Sequence, residues 1–167
     1  DLSFNKYESN SLQAEYLHSE YRKLKDVLLR NFRGKDVPKY SLELRGLYPY
    51  IQVKDIAKFA GNIYSISPGH NSFIDKDLSD ADRLKLVPSG SILVSMIGVE
   101  VNSVLYSSYT PAIISKNLLA LVCDTSIVLP EYILSQFQEG YFKEQVNNIT
   151  KGHTIPFRSN SDFLNLS

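Results

Sequence analysis

Apolar positions recur along this chain in more than one rhythm. From 11 to 32 the period is helical. Ala14, Leu17, Tyr21, Leu24 and Leu28 are spaced three and four residues apart, with Val27 and Leu29 widening the stripe. That spacing predicts one long helix with a packing seam. Asn10 with Gln13 would start it, Gly34 would end it in the left-handed conformation, and Pro38 would block its return. From 48 onward the apolar runs are short. Residues 48–53 alternate as a strand does, with Pro49 near the start, as suits an edge. Residues 54–60 suit a helical turn closed by Gly61, 63–66 a strand and 67–72 a turn-rich loop, with order resuming at Phe73 and Ile74. The segment 84–122 then organises the rest. A Pro88-Ser-Gly90 turn leads into a buried strand at 91–97, a break at Gly98, and strand-like runs at 101–106, 112–114 and 118–122. Pro130 opens a helix whose one side carries Tyr132, Ile133, Phe137, Tyr141 and Phe142. Gly140 interrupts it, a second half runs over 142–149, and a turn at 150–156 contains Gly152. Ser159 or Asn160 caps a last turn over 162–166. The sum is an α/β (α+β) fold: a mixed β core with a long N-terminal helix and C-terminal helices.

Composition narrows the class. The 167 residues are 43% hydrophobic and 22% charged, which suits one globular domain with a real core. Lysine plus arginine and aspartate plus glutamate both number 18. Zero net charge argues against a free-standing electrostatic DNA binder, but leaves room for a local basic face. Eight of the basic residues fall in the first 39, among six acids, and so make a solvated helix face there. The single cysteine, Cys123, ends an apolar run and is expected to be a buried structural thiol in a reducing compartment, the cytoplasm. No apolar run approaches the ~20 residues of a membrane span.

A search for catalytic chemistry leaves little. There is no Gly-rich phosphate loop and no Gly-x-Ser-x-Gly elbow. His18, His70 and His153 lack the spacing of metal ligands. A dyad of Cys123 with His70 or His153 would rest on a poor, buried nucleophile. The Asn/Asp-Pro-Pro-Tyr/Phe motif of adenine methyltransferases is absent, since the chain has no Pro-Pro pair. Asp75, Asp77, Asp80 and Asp82 do not fit a calcium loop, because the positions that need Gly and Glu hold Asp80 and Leu86. Binding is therefore favoured over catalysis. Phosphates take Lys, Arg, hydroxyls and backbone amides, and base edges take Arg, Lys, Asn, Gln and small hydroxyls. The irregular segments offer that chemistry at Lys54; at His70, Asn71 and Lys76; at Tyr106, Ser108 and Tyr109; at Lys116; and at Lys151, His153 and Arg158. The plainer reading of each loop is a solvated polar turn.

The colinear set of features resembles the target-recognition domain of type I restriction–modification specificity subunits and of their fused type IIG relatives. The matching stretches are Leu12-Gln-Ala-Glu-Tyr16 with Tyr21 and Leu24, Ile51-Gln-Val-Lys-Asp-Ile56, Leu86-Val-Pro-Ser-Gly-Ser-Ile-Leu-Val94 with Ile97-Gly98, Ala112-Ile-Ile-Ser-Lys-Asn-Leu-Leu-Ala-Leu121, Tyr132-Ile-Leu, Lys151-Gly-His-Thr-Ile-Pro156 and Phe163-Leu-Asn-Leu. The chain departs from the pattern at Ser91, where the family usually has Asp, and at Lys116, near a common Gln-Asn. Residues 1–8 look like the tail of an adenine methyltransferase domain. The resemblance implies three parts: such a tail over 1–10, a spacer or docking helix over 11–34 that packs through Leu17, Tyr21, Leu24 and Leu28, and a recognition domain over 35–167. It implies a module that reads double-stranded DNA and is not itself an enzyme. It needs no cofactor of its own, S-adenosylmethionine belonging to the methyltransferase subunit or domain that partners it. A second recognition domain, or self-association through the helix, is a further expected contact, with no membrane involved. Two other readings compete. One is an assembly module acting through the N-terminal helix, and the other an enzyme using Cys123.

Overall fold

The computed structural model describes residues 22–39, 42–74 and 85–167. Two sheets form the frame. Strands β1 (Leu28–Arg33), β3 (Ile63–Tyr64), β5 (Ile92–Ser95), β6 (Ser103–Tyr106) and β8 (Leu118–Cys123) make a five-stranded sheet in the order β1-β8-β5-β6-β3. Strands β2 (Tyr48–Ile51), β4 (Phe73–Ile74) and β7 (Ile113–Ile114) make a smaller one in the order β4-β2-β7. Among the described residues four α-helices punctuate the frame: α1 (Val53–Ile56), α2 (Pro130–Gln136), α3 (Gly140–Ile149) and α4 (Asn160–Leu164). Pairing in the large sheet is antiparallel except where β3 runs parallel to β6.

The central strands read as unbroken apolar runs because both their faces are covered. All four residues of β5 are buried, and in β8 only Val122 is less than fully so. One face, with Ile92, Val94, Leu105, Leu119 and Leu121, packs under the helices. There Phe137 and Phe142 stack with ring centroids 4.4 Å apart, and Phe163 sets its edge against both. The other face, with Leu93, Val104, Tyr106, Leu118 and Ala120, packs on Ile51, Ile56, Ala112 and Ile114 of the small sheet and α1. A large sheet between a helical layer and a small sheet is thus the mixed β core with C-terminal helices that the apolar runs predict. The breaks fall at Gly61, Gly98 and Gly152, all with positive φ. Pro130 sits in the first turn of α2, and the Ser159 hydroxyl accepts from the Asp162 amide to cap α4.

The predicted helix over 11–32 does not extend through its second half. Residues Leu24–Val27 form a single 3-10 turn, and Leu28–Arg33 form β1 on the edge of the large sheet. Leu24 and Val27 satisfy a helical period, but they are spent inside the domain's own core, where Leu28 also packs. They are not a free docking stripe. Leu17, Tyr21 and the start at Asn10 lie outside the described residues. Gly34 is not a left-handed helix cap either, since its φ is not positive. Its role is a close approach. A Cβ there would fall 2.1 Å from the Ser115 carbonyl oxygen and 2.2 Å from that of Ile114. Pro49 is also placed differently from expectation, because β2 is the central strand of its sheet. It registers only with Phe73, and the parallel ladder to β7 begins one residue later at Tyr50. The missing N–H of Pro49 therefore costs that ladder nothing.

Candidate nucleic-acid interface

The two ends of the large sheet carry different chemistry. At the end where β3 and β6 finish, the loop after Tyr106 is pinned to its neighbours by hydroxyls and amides. The Ser65 hydroxyl donates to the Ser107 carbonyl at 2.7 Å, and the Ser108 amide donates to the Ser89 hydroxyl at 3.2 Å. The Gly90 amide donates to the Tyr106 carbonyl at 2.7 Å, and the Ser107 amide to that of Tyr64 at 3.0 Å. Tyr109 stands on this platform with its side chain fully exposed. Ser108 and Tyr109 thus lie at a fixed, uncharged, hydroxyl-rich rim.

Tyr106 does not join them. It is wholly buried, its phenol donates to the Thr110 carbonyl at 2.6 Å, and burial raises its pKa. The ring supports the loop from beneath and presents nothing to a ligand. Its strand position was the available signal, since Val104 and Tyr106 share one face in a period-two run.

The opposite end collects most of the predicted cations. The Met96 amide donates to the Asn117 carbonyl, the Gly98 amide to that of Pro156, and the Arg158 amide to that of Met96, at 2.8–2.9 Å. The turn with Lys116 and the loop with Lys151 and His153 therefore lie at the same end of the sheet. Four residues of β5 separate the two ends, roughly 13 Å at ~3.3 Å per residue. Lys116 is exposed and pairs with Asp36 at 2.7 Å, and Lys151 is exposed and pairs with Asp162 at 3.6 Å. His153 is exposed on the turn made by Gly152.

Arg158 leaves the set of surface contacts. It is 1% exposed. Its Nη2 donates to the carbonyls of Gly98 and Val99 at 2.7 and 3.0 Å, and its Nε donates to the Thr150 hydroxyl at 3.1 Å. It ties the Gly98 break to the end of α3, and burial lowers its pKa. Lys54 is exposed on α1, and Asn71 is exposed in the loop before β4. His70 in that loop is half-buried, with its ring edge 5.1 Å from Phe73 and its Nε2 2.8 Å from the Ser72 carbonyl oxygen. Lys76 and the acidic cluster of Asp75, Asp77, Asp80 and Asp82 lie outside the described residues.

One cluster escaped the sequence reading. The edge strand β1 of the large sheet meets the edge strand β7 of the small one where Gly34 crosses between them. The Gly34 amide donates to the Leu118 carbonyl at 3.1 Å and the Lys35 amide to the Ile114 carbonyl at 3.3 Å. A groove of about 250 Å³ opens there, lined by Asn31, Arg33, Lys35, Lys85 and Asn160 among others. The helix expected over 11–32, with Gly34 as its end, separates Arg33 from Lys35 and hides their common face. The signal that could have found them is the alternation Arg30-x-Phe32 with Arg33 against an apolar edge, which only a strand assignment brings together.

Cys123 is 4% exposed and closes β8. Burial, with a smaller contribution from the Glu131 charge, pushes its thiol up to about 11. Such a thiol stays protonated near neutral pH and is a poor nucleophile. Among the described residues, no group of three or more His, Cys, Asp or Glu side chains is arranged to hold a metal ion. Also among them, no helix is long and apolar enough to cross a membrane.

No protein-family model matches the chain, and no curated protein matches it in sequence. Solved structures do match it in shape. The S subunit of a type I restriction–modification system from M. genitalium aligns over 87% of this chain with a TM-score of 0.53 at 14% identity. The HsdS subunit from Thermoanaerobacter tengcongensis aligns over 86% with a TM-score of 0.59 at 16% identity. A chain of a type I R-M system, solved for its complex assembly and conformational transition, aligns over 86% with a TM-score of 0.59 at 18% identity. The fold is that of part of a type I S subunit. The present chain spans 30–32% of the length of these S-subunit structures. The correspondence is one of fold.

Proposed function

We propose that the chain is a sequence-reading domain for double-stranded DNA, of the kind that gives a type I restriction–modification system its target. The observation that carries this reading is the match of nearly nine-tenths of the chain to S subunits at TM-scores up to 0.59. The distribution of surface chemistry supports it. Exposed hydroxyls and Tyr109 sit on a rim held rigid by backbone bonds, as base readout requires, and exposed lysines sit elsewhere, as phosphate contacts require. In this reading Ser108, Tyr109, Asn71 and His70 are base-reading candidates, and Lys54, Lys76, Lys116, Lys151 and His153 are backbone contacts. Lys116 and Lys151 would exchange their exposed carboxylate partners for phosphates at little cost.

The chain itself carries out no reaction. A methyltransferase subunit or domain, holding S-adenosylmethionine, would act on an adenine in the DNA that this domain selects. A second recognition domain would read the other part of the target. The test is selection from a pool of random duplexes, followed by binding of the enriched and scrambled duplexes in a salt series. Enrichment of a defined sequence is expected, with affinity falling as salt rises. If no sequence is enriched, either by the chain alone or by the chain joined to its methyltransferase partner, the reading is wrong.

A further inference from the structure

The groove between the two sheets has a charge pattern that the loop residues lack. Lys35 and Lys85 line it with Arg33, the amide side chains of Asn31 and Asn160 flank them, and among the described residues no carboxylate lines it. The other exposed lysines at this end of the molecule are neutralised locally, Lys116 by Asp36 and Lys151 by Asp162. Lys35, Lys85 and Arg30 take part in no ion pair among the described residues. The nitrogen of Lys85 lies 5.7 Å and the guanidinium carbon of Arg30 5.8 Å from the centroid of the Phe32 ring, so the ring gathers two cations at one place.

Arg33 is the fixed member of the group. Its Nε donates to the Lys116 carbonyl at 2.5 Å and its Nη1 to the Asn160 side-chain oxygen at 2.9 Å. Both partners are neutral, which orients the guanidinium and leaves its charge uncompensated. Partial burial lowers its pKa. A half-desolvated cation in a groove whose described lining holds no carboxylate is stabilised by an anion that brings charge and acceptor oxygens together.

The groove volume of about 250 Å³ falls below the ~300–1,000 Å³ of small-molecule pockets. It is open along the rim of two edge strands. That geometry suits one phosphate group of a continuous strand better than an enclosed nucleotide. We propose that this groove seats the phosphodiester backbone of the bound duplex, with Lys35 and Lys85 as the charge contacts and Arg33 as the oriented donor. The proposal rests on the DNA reading above and supplies the contact that fixes the duplex in register against the hydroxyl rim.

Phosphate contacts position a duplex without reading its sequence. The double substitution Lys35→Gln with Lys85→Gln is the test, since both side chains are exposed and neither makes a hydrogen bond that holds the fold. Lys143→Gln, on the exposed side of α3, is the control for simple loss of charge. Binding of a selected and a scrambled duplex is measured between 50 and 200 mM salt, with circular dichroism melts to confirm that each variant is folded. The double variant should bind both duplexes more weakly by a similar factor, on the order of tenfold. Its slope of log affinity against log salt should shrink by about two, and the control should keep the parent slope. An unchanged slope, an equal change in the control, or a loss confined to the selected duplex would each overturn the proposal. If the parent chain binds duplex and the double variant matches it, the groove assignment alone falls. If the parent chain binds no duplex, alone or joined to its methyltransferase partner, the proposed function falls first and the groove with it.

Discussion

Arg158 carries a positive charge into the interior and spends it on carbonyls. Three of its hydrogen bonds reach Gly98, Val99 and Thr150, and its Nη1 has no partner among the described residues. Removing the side chain leaves two carbonyls without a donor at the Gly98 break. Arg158→Ala is expected to cost about 3 kcal/mol in urea unfolding, and Arg158→Lys should recover little, because one ammonium cannot span the same fork. The affinity of the folded variant for duplex should stay within about twofold of the parent. Nothing in the local sequence separates this arginine from a surface one. Lys-Gly-His-Thr-Ile-Pro-Phe-Arg reads as a polar turn, and only the return of the chain to Met96 turns its last residue inward. Cys123 was legible, because an apolar run leads straight into it. Its thiol is pushed up to about 11 and the Tyr64 phenol to about 12, in both cases chiefly by burial. Each group therefore holds its proton more tightly folded than unfolded. The stability this brings is complete below the unfolded-state value and is lost as pH rises through the folded one. Stability should fall from about pH 9 upward, and Cys123→Ala should flatten the part between pH 9 and 11. Urea midpoints at one-unit steps would show it, and a midpoint that holds constant to pH 11 would contradict the assignment.

At the scale of elements, the strands were the readable part and β1 the misread one. Buried runs such as Ile92–Ser95 and Leu118–Cys123 announce themselves, because full burial on both faces demands continuous apolar residues. Residues 24–33 satisfy two patterns at once. Leu24, Val27 and Leu28 fit a helix, and the same residues fit a 3-10 turn followed by a strand with a bulge between Leu28 and Arg30. What decides between them is the free edge of β8, far along the sequence, which pairs with residues 28–33; no local propensity carries that information. Gly34 records the outcome. The chain passes so close over Ile114 and Ser115 that no side chain fits. Gly34→Ala and Gly34→Asn should therefore both destabilise by about 3 kcal/mol in thermal or urea unfolding. A left-handed helix cap would predict tolerance of Asn, so the pair of variants separates the two structures directly.

For the whole molecule, zero net charge conceals an uneven surface. Lys35, Lys85 and Arg33 gather at one groove whose described lining holds no carboxylate, and a local field of that kind can orient a charged ligand even when the net charge is zero. Zero net charge in the sequence left room for a local basic face, and the candidate cations were sought in the loops, because nothing local says that two edge strands meet. The sequence also left open an assembly role for the N-terminal stripe, and Leu24 and Leu28 are instead occupied by the domain's own helices.

The Leu24 amide donates to the Leu166 carbonyl at 2.8 Å. Residues 24 and 166, far apart in sequence, are thus direct neighbours, and the described chain between them forms a closed loop. A unit closed in this way is portable. Units whose ends lie side by side generally tolerate insertion into another chain or rejoining at that point. If the DNA reading holds, the preference that such a unit carries would travel with it as one block of chain.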